Sequence, residues 1–129
     1  MTEGRGVSDV LYSELSYSIV GAAMEVHKAL GPGFLESVYH TAMNHELGLQ
    51  AIPFEPHKSL PVMYKGVMVG SYVADIVVDE KIVVELKAVQ GLVAAHLAQA
   101  HHYLAATGLR LALVINFGHT SLETKRVIR

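Results

Sequence analysis

The sequence predicts an α/β fold, a mixed sheet with helices on its faces, built as one domain of 129 residues. Three observations predict it. Two segments with helical apolar spacing come first, then several Val- and Ile-rich runs, then one more helical segment and a closing strand region. That order suits a mixed sheet covered by helices. Two of the runs, Val67 to Val78 and Lys81 to Ala88, are apolar on both faces apart from a few charges. Such runs read as central, covered strands. Finally, 51% of the residues are hydrophobic, enough for one real core in a chain too short for two ordinary domains.

Residues 1–12 read as a polar lead-in, with no apolar run behind a basic start and hence no signal peptide. From Ser13 to Leu30, the positions Leu15, Ile19, Ala22, Val26 and Ala29 keep helical spacing, and Gly31-Pro32-Gly33 stops the helix. A second helix is expected from Phe34 to Leu47, ended by Gly48. Ala51–Phe54 and Ser59–Tyr64 read as two short strands whose prolines suit a sheet edge. Lys65-Gly66 marks a turn before the strand Val67–Val78. After the strand Lys81–Ala88, a helix is expected over Gly91–Thr107, broken by Gly108. Leu109–Ile115 and Leu122–Ile128 complete the strands.

Composition excludes several classes. Charged residues are 17% of the chain and mean hydropathy is +0.34, opposite to a disordered chain. No stretch of about 18 residues is apolar and unbroken enough to span a membrane. Without cysteine there is no disulfide framework, thiolate metal site or thiol nucleophile, which fits a cytoplasmic protein. The net charge of −2 argues against bulk electrostatic binding of nucleic acid but leaves room for a local site. Eight histidines make the surface charge pH-sensitive. None makes the i, i+4 pair of a zinc protease, and the adjacent His101 and His102 diverge on a helix, so no dedicated histidine–metal site is expected.

The informative charges lie inside apolar strands. Asp75 interrupts Tyr72–Val78, and Glu85 and Lys87 interrupt Ile82–Ala88. Burying a charge is costly unless it is paired or binds an ion. Glu85 and Lys87 share a strand face. A two-residue loop at 79–80 would send Asp75 to the opposite face. A three-residue loop at 79–81 would set Asp75 opposite Glu85, and this register is the one expected, since a slip of one residue flips every side chain. Two carboxylates held together suit Mg²⁺, with Mn²⁺ the alternative, and a neighbouring lysine can orient water. A buried ion-pair network without metal fits the spacing equally well.

Asp75 followed by Glu85-Leu86-Lys87 resembles the Asp…Glu-x-Lys signature of the PD-(D/E)XK nuclease superfamily. Gly33-Phe34-Leu35-Glu36-Ser37-Val38-Tyr39 resembles the motif of one family within it, the GxxExxY family, as do Val26–Gly33, Gln99-x-x-x-Tyr103 and Ile115-Asn116-Phe117-Gly118. Ala74 stands where the superfamily name has proline, a position that supplies no ligand. The resemblance implies a restriction-endonuclease-like αβββαβ core and hydrolysis of DNA or RNA phosphodiesters. It implies metal binding by Asp75 and Glu85 and water activation by Lys87. Glu36 matches the helix acid that completes such sites, and Gln99 a glutamine on the helix after the Glu-x-Lys strand.

His96, Gln99 and Tyr103 share a helix face, expected to point at the site. His96 and Tyr103, with Tyr39 and His27, are expected to support it, the tyrosine hydroxyls by reaching Glu36 or Gln99. For His27 the plainer reading is a favourable position at a helix C-terminus. The basic end, Lys125, Arg126 and Arg129, reads as solvated. The alternative function is a non-catalytic protein that keeps the fold and assembles into a ring or filament. Low charge and high apolar content favour exposed apolar patches and a homo-oligomer under either reading.

Overall fold

The computed structural model describes residues 11–129, so most of the polar lead-in lies outside the described residues. Two helices come first, α1 (Ser13–Leu30) and α2 (Glu36–Leu49). Five strands and one further helix follow: β1 (Phe54–Tyr64), β2 (Val67–Val78), β3 (Ile82–Lys87), α3 (Ala94–Thr107), β4 (Leu111–Asn116) and β5 (Glu123–Ile128).

The strands form one sheet in the order β1-β2-β3-β4-β5. Only β3 and β4 run parallel, and α3 is the crossover that a parallel pair requires. One face is covered by α1 and α2, whose Ile19, Ala22, Tyr39, Met43 and Leu47 pack on Ile76, Val84, Leu86 and Leu113. The other is covered by α3, whose Ala100, Tyr103 and Leu104 pack on Val77, Val83 and Val114. The expected mixed sheet flanked by helices is therefore the observed architecture. Among the described residues, no helix is long and apolar enough to cross a membrane.

The β2–β3 register is the expected one. Val78 pairs with Ile82, Val77 with Val83 and Ile76 with Val84, so the loop is the three residues 79–81. Asp79 (φ 51°) and Glu80 (φ 56°) are both left-handed there, a conformation that Asp tolerates better than most residues. Lys81 donates to the Val78 carbonyl (2.9 Å) and pairs with Asp79 (3.0 Å).

Four boundaries differ from the sequence reading. The second helix starts at Glu36 because Leu35 is extended (ψ 153°). It runs through Gly48, since one glycine costs only about 1 kcal/mol and buried Leu47 anchors the last turn. Left-handed Ala51 (φ 54°) then redirects the chain. The two short strands are one edge strand, β1, and Pro56 and Pro61 are tolerated because one of its sides has no neighbour. The crossover helix starts at Ala94 rather than Gly91, because the segment before it is tied to β4 and β5 by side chains described below. Finally, only Ala74–Val78 of β2, apart from half-buried Asp75, is covered; Val67–Val73 is exposed.

Candidate active site

The site lies where β2 and β3 part. Their pairing ends at Ile76–Val84, and the same register carried one step further sets Asp75 opposite Glu85. Asp75 leaves the ladder there. Its Oδ2 accepts the Leu86 N–H (2.7 Å). Its carbonyl is bonded to His40 Nε2 (2.8 Å), and since a carbonyl only accepts, that ring nitrogen carries the proton. A side chain thus takes over a backbone bond of β3, and an α2 histidine satisfies the freed carbonyl.

Glu85 is 4% exposed, and its Oε1 has no hydrogen-bond partner. Burial, then the charge of Asp75, pushes its carboxyl up to about 8, with Lys87 opposing. Lys87 is half-buried, and its Nζ donates to Gln99 Oε1 (3.1 Å) on α3. On the other side a cleft of about 300 Å³ is lined by Glu36, His40, Thr41, His57, Asp75 and Leu86. The Glu36 carboxyl is also raised, first by burial and then by Asp75, with Lys87, His40 and His96 opposing. The structure thus brings together Asp75, Glu85, Lys87, Gln99 and Glu36.

His96 and Tyr103 border this group. His96 Nδ1 accepts the Val93 N–H (3.0 Å), which leaves Nε2 to carry the neutral ring's proton, and the ring lies near enough to Glu36 to act on its charge. Tyr103 is 7% exposed, and its hydroxyl pKa is raised by burial and by Glu85 and Asp75. The other two supporting residues act elsewhere. The buried Tyr39 hydroxyl does not bond Glu36 or Gln99. It donates to the Gly31 carbonyl and accepts the Phe34 N–H (3.2 Å), while its ring stacks on Phe117 at 4.7 Å. It therefore clamps the turn through Gly33, whose φ of 113° is open to glycine, and that turn delivers Glu36 at the start of α2. His27 bonds the His119 carbonyl (2.9 Å) and lies against Phe117, because the end of α1 meets the β4–β5 loop.

Sequence reasoning missed three contributors. His40 stands in no metal-type spacing, yet long-range folding brings it to Asp75. His57, at φ 48° in β1, lies with its ring 4.3 Å from that of His40. Asn116 is fully buried. Its Oδ1 accepts the N–H groups of Val89 and Gly118 (both 3.0 Å), and its Nδ2 donates to the Val89 carbonyl (2.9 Å) and Glu123 Oε1 (2.8 Å). Glu123 Oε1 also accepts the Leu92 N–H (3.2 Å). This network fixes the chain between Lys87 and α3. Gly118 lies so close to it that a Cβ would overlap the Val89 backbone. The one available signal was the Ile115–Gly118 motif, which names the residues but not their partners.

The donor set fits a hard divalent cation with few protein ligands. The unpartnered Glu85 Oε1, beside a second carboxylate, is the deficit a cation would fill. Among the described residues, no group of three or more His, Asp or Glu side chains is arranged to hold a metal. Mg²⁺ is commonly bound by one or two carboxylates and completes its shell with water, whereas an all-protein cage needs more ligands.

A forked mixed sheet, an acidic pair at the fork and a lysine one pleat further define a nuclease-like domain. The family model of the PD-(D/E)XK nuclease superfamily matches residues 13–127, and the chain belongs to that superfamily. Comparison with curated proteins and with solved structures gives no match.

Proposed function

We propose that this protein is a divalent-metal-dependent nuclease of the GxxExxY family that hydrolyses nucleic-acid phosphodiesters. The observation that carries the reading is Glu85: a carboxylate buried beside Asp75 with an unpartnered oxygen, one pleat from a lysine held by Gln99. Asp75 and Glu85 are the residues that would hold Mg²⁺ or Mn²⁺. When bound, such an ion acidifies water and polarises a phosphoryl oxygen.

The chain supplies the rest. Gln99 fixes the Lys87 ammonium at the edge of the acidic pair, where it orients the attacking water and faces the charge developing on the phosphate. Glu36 borders the cleft, and its raised carboxyl suits it to exchange a proton with water. His40 keeps Asp75 out of the ladder, and Tyr39 holds the turn that starts α2. The GxxExxY assignment rests on these jobs: Gly33 makes the turn, Glu36 enters the cleft, and Tyr39 locks the turn.

The test is calorimetry with Mg²⁺ and Mn²⁺ alongside cleavage of labelled single- and double-stranded DNA and RNA. Wild type should give binding heat, and an Asp75→Ala/Glu85→Ala double variant none. Lys87→Ala should bind metal, keep its Tm within a few degrees and lose cleavage. Equal, negligible heats for wild type and the double variant would refute the metal. Loss of about 3–5 kcal/mol in Lys87→Ala, with no cleavage by wild type, would mark a structural ion pair instead.

A further inference from the structure

β1 and β2 have 11 and 12 residues, but β3 has only 6. Because β2 pairs with β3 only over Ile76–Val78, the β1–β2 hairpin runs past the sheet as a two-stranded arm. An isolated two-stranded hairpin is marginally stable in water. This one is apolar as well. Met63, Tyr64, Val67, Met68, Val69 and Val73 are each 55–62% exposed. From Ser59 to Ala74 the only charged residue is Lys65. The arm is tied to α3 at its base, by Leu60, buried with Ala100, Tyr103 and Leu104, and by Tyr72, whose ring meets Tyr103 edge-on at 4.7 Å.

We propose that the outer edge of β2, Val67–Val73, pairs antiparallel with the same edge of a second copy of this chain across a two-fold axis at Gly70. Three observations select this occupant. First, an open edge offers unpaired N–H and C=O groups, and an antiparallel pair about a two-fold is self-complementary. Second, the arm lacks the cationic side chains that a phosphate backbone requires, which argues against nucleic acid as its partner. Third, Gly70 is the midpoint of the exposed segment, beside the bulge at Val69 where the β1–β2 register shifts. Its backbone is not left-handed, and a Cβ would meet no atom within 4 Å. The glycine serves that bulge and also leaves the outer edge open for a second backbone to come close.

The register follows by counting. Val67 lies opposite Val73 of the second copy, Met68 opposite Tyr72, and Gly70 opposite itself. The exposed side chains of Val67, Met68, Val69 and Val73 lie along this edge. The pairing does not depend on the nuclease reading.

Residues directly opposite in an antiparallel pair lie about 4.5–5.5 Å apart at Cα, within the span of a disulfide. The chain has no cysteine of its own. Gly70→Cys should therefore form a disulfide-linked dimer under mild oxidation, whereas His102→Cys, on the exposed side of α3, should not. By light scattering across a hundredfold dilution, wild type should be a dimer of the 14.0 kDa chain. Val69→Glu should weaken it about tenfold or more, because a charge is introduced beside the axis. The far-UV circular dichroism spectrum of Val69→Glu should match that of wild type, which shows that the variant folds. A wild-type monomer at every concentration, a dimer unchanged by Val69→Glu, or no selective cross-link through Gly70→Cys would each overturn the proposal.

Discussion

Glu85→Gln separates the fold from the charge it carries. In the metal-free protein the Glu85 carboxyl, ordinarily near 4.5, is pushed up to about 8 by burial and by Asp75. The folded state then holds a proton that the unfolded chain releases across that interval. The stabilising effect of this proton is complete below about pH 4.5 and declines as pH rises towards 8. At about 1.4 kcal/mol per pH unit, the interval corresponds to roughly 5 kcal/mol, of which roughly 4 falls between pH 5 and 9. For a chain of this length that is a fall in Tm of roughly 10–20 °C. Glutamine has nearly the same shape and an amide that still donates towards Asp75, but it has no proton to lose. Subtracting the Glu85→Gln stability curve from the wild-type curve cancels the other titrating groups. The difference should slope downward with pH in EDTA. Mg²⁺ should remove the slope, because a bound cation stabilises the ionised carboxylate, and should leave Glu85→Gln unchanged. Urea melts at five pH values, with and without Mg²⁺, provide the measurement. Parallel curves for the two proteins in EDTA would refute the account of Glu85 as a carboxylate short of a cation.

Three further outcomes test the framework around the site. Tyr39→Phe should cost about 1–2 kcal/mol in urea melts, because the Gly31 carbonyl and Phe34 N–H lose their shared hydroxyl. It should also lower cleavage by loosening the approach to Glu36. Asn116→Ala should cost about 3 kcal/mol or more, since it strands the buried polar groups at Val89, and thermal melts would show the loss. Gly118→Ala should destabilise by about 1–3 kcal/mol through overlap with Val89, read in the same assay.

Much of this protein is legible along the chain. The apolar spacing of α1, the Gly-Pro-Gly stop and the strand Val67–Val78 were readable because local periodicity and turn residues act over a few positions. The Asp75–Glu85 register was readable too, since a hairpin's pairing depends on the length of a single short loop. Glu36 and Gln99 were nameable only through motif resemblance, because helix residues reach a strand's face through packing that spacing cannot express. What the sequence by itself could not determine depends on contacts between distant segments. Leu47 in the core carries α2 past Gly48, against the local preference of glycine. The edge position lets β1 run unbroken through two prolines. His40 reaches the Asp75 carbonyl 35 residues away, and Asn116 reaches Val89 27 residues away. The hydroxyl of Tyr39 turns to Gly31 rather than to Glu36. The sequence determined which side chains carry charge and where helices and strands alternate. Only the tertiary structure decided which backbone groups those side chains satisfy, because a buried polar group takes its partner from whatever the packed fold places within hydrogen-bonding distance.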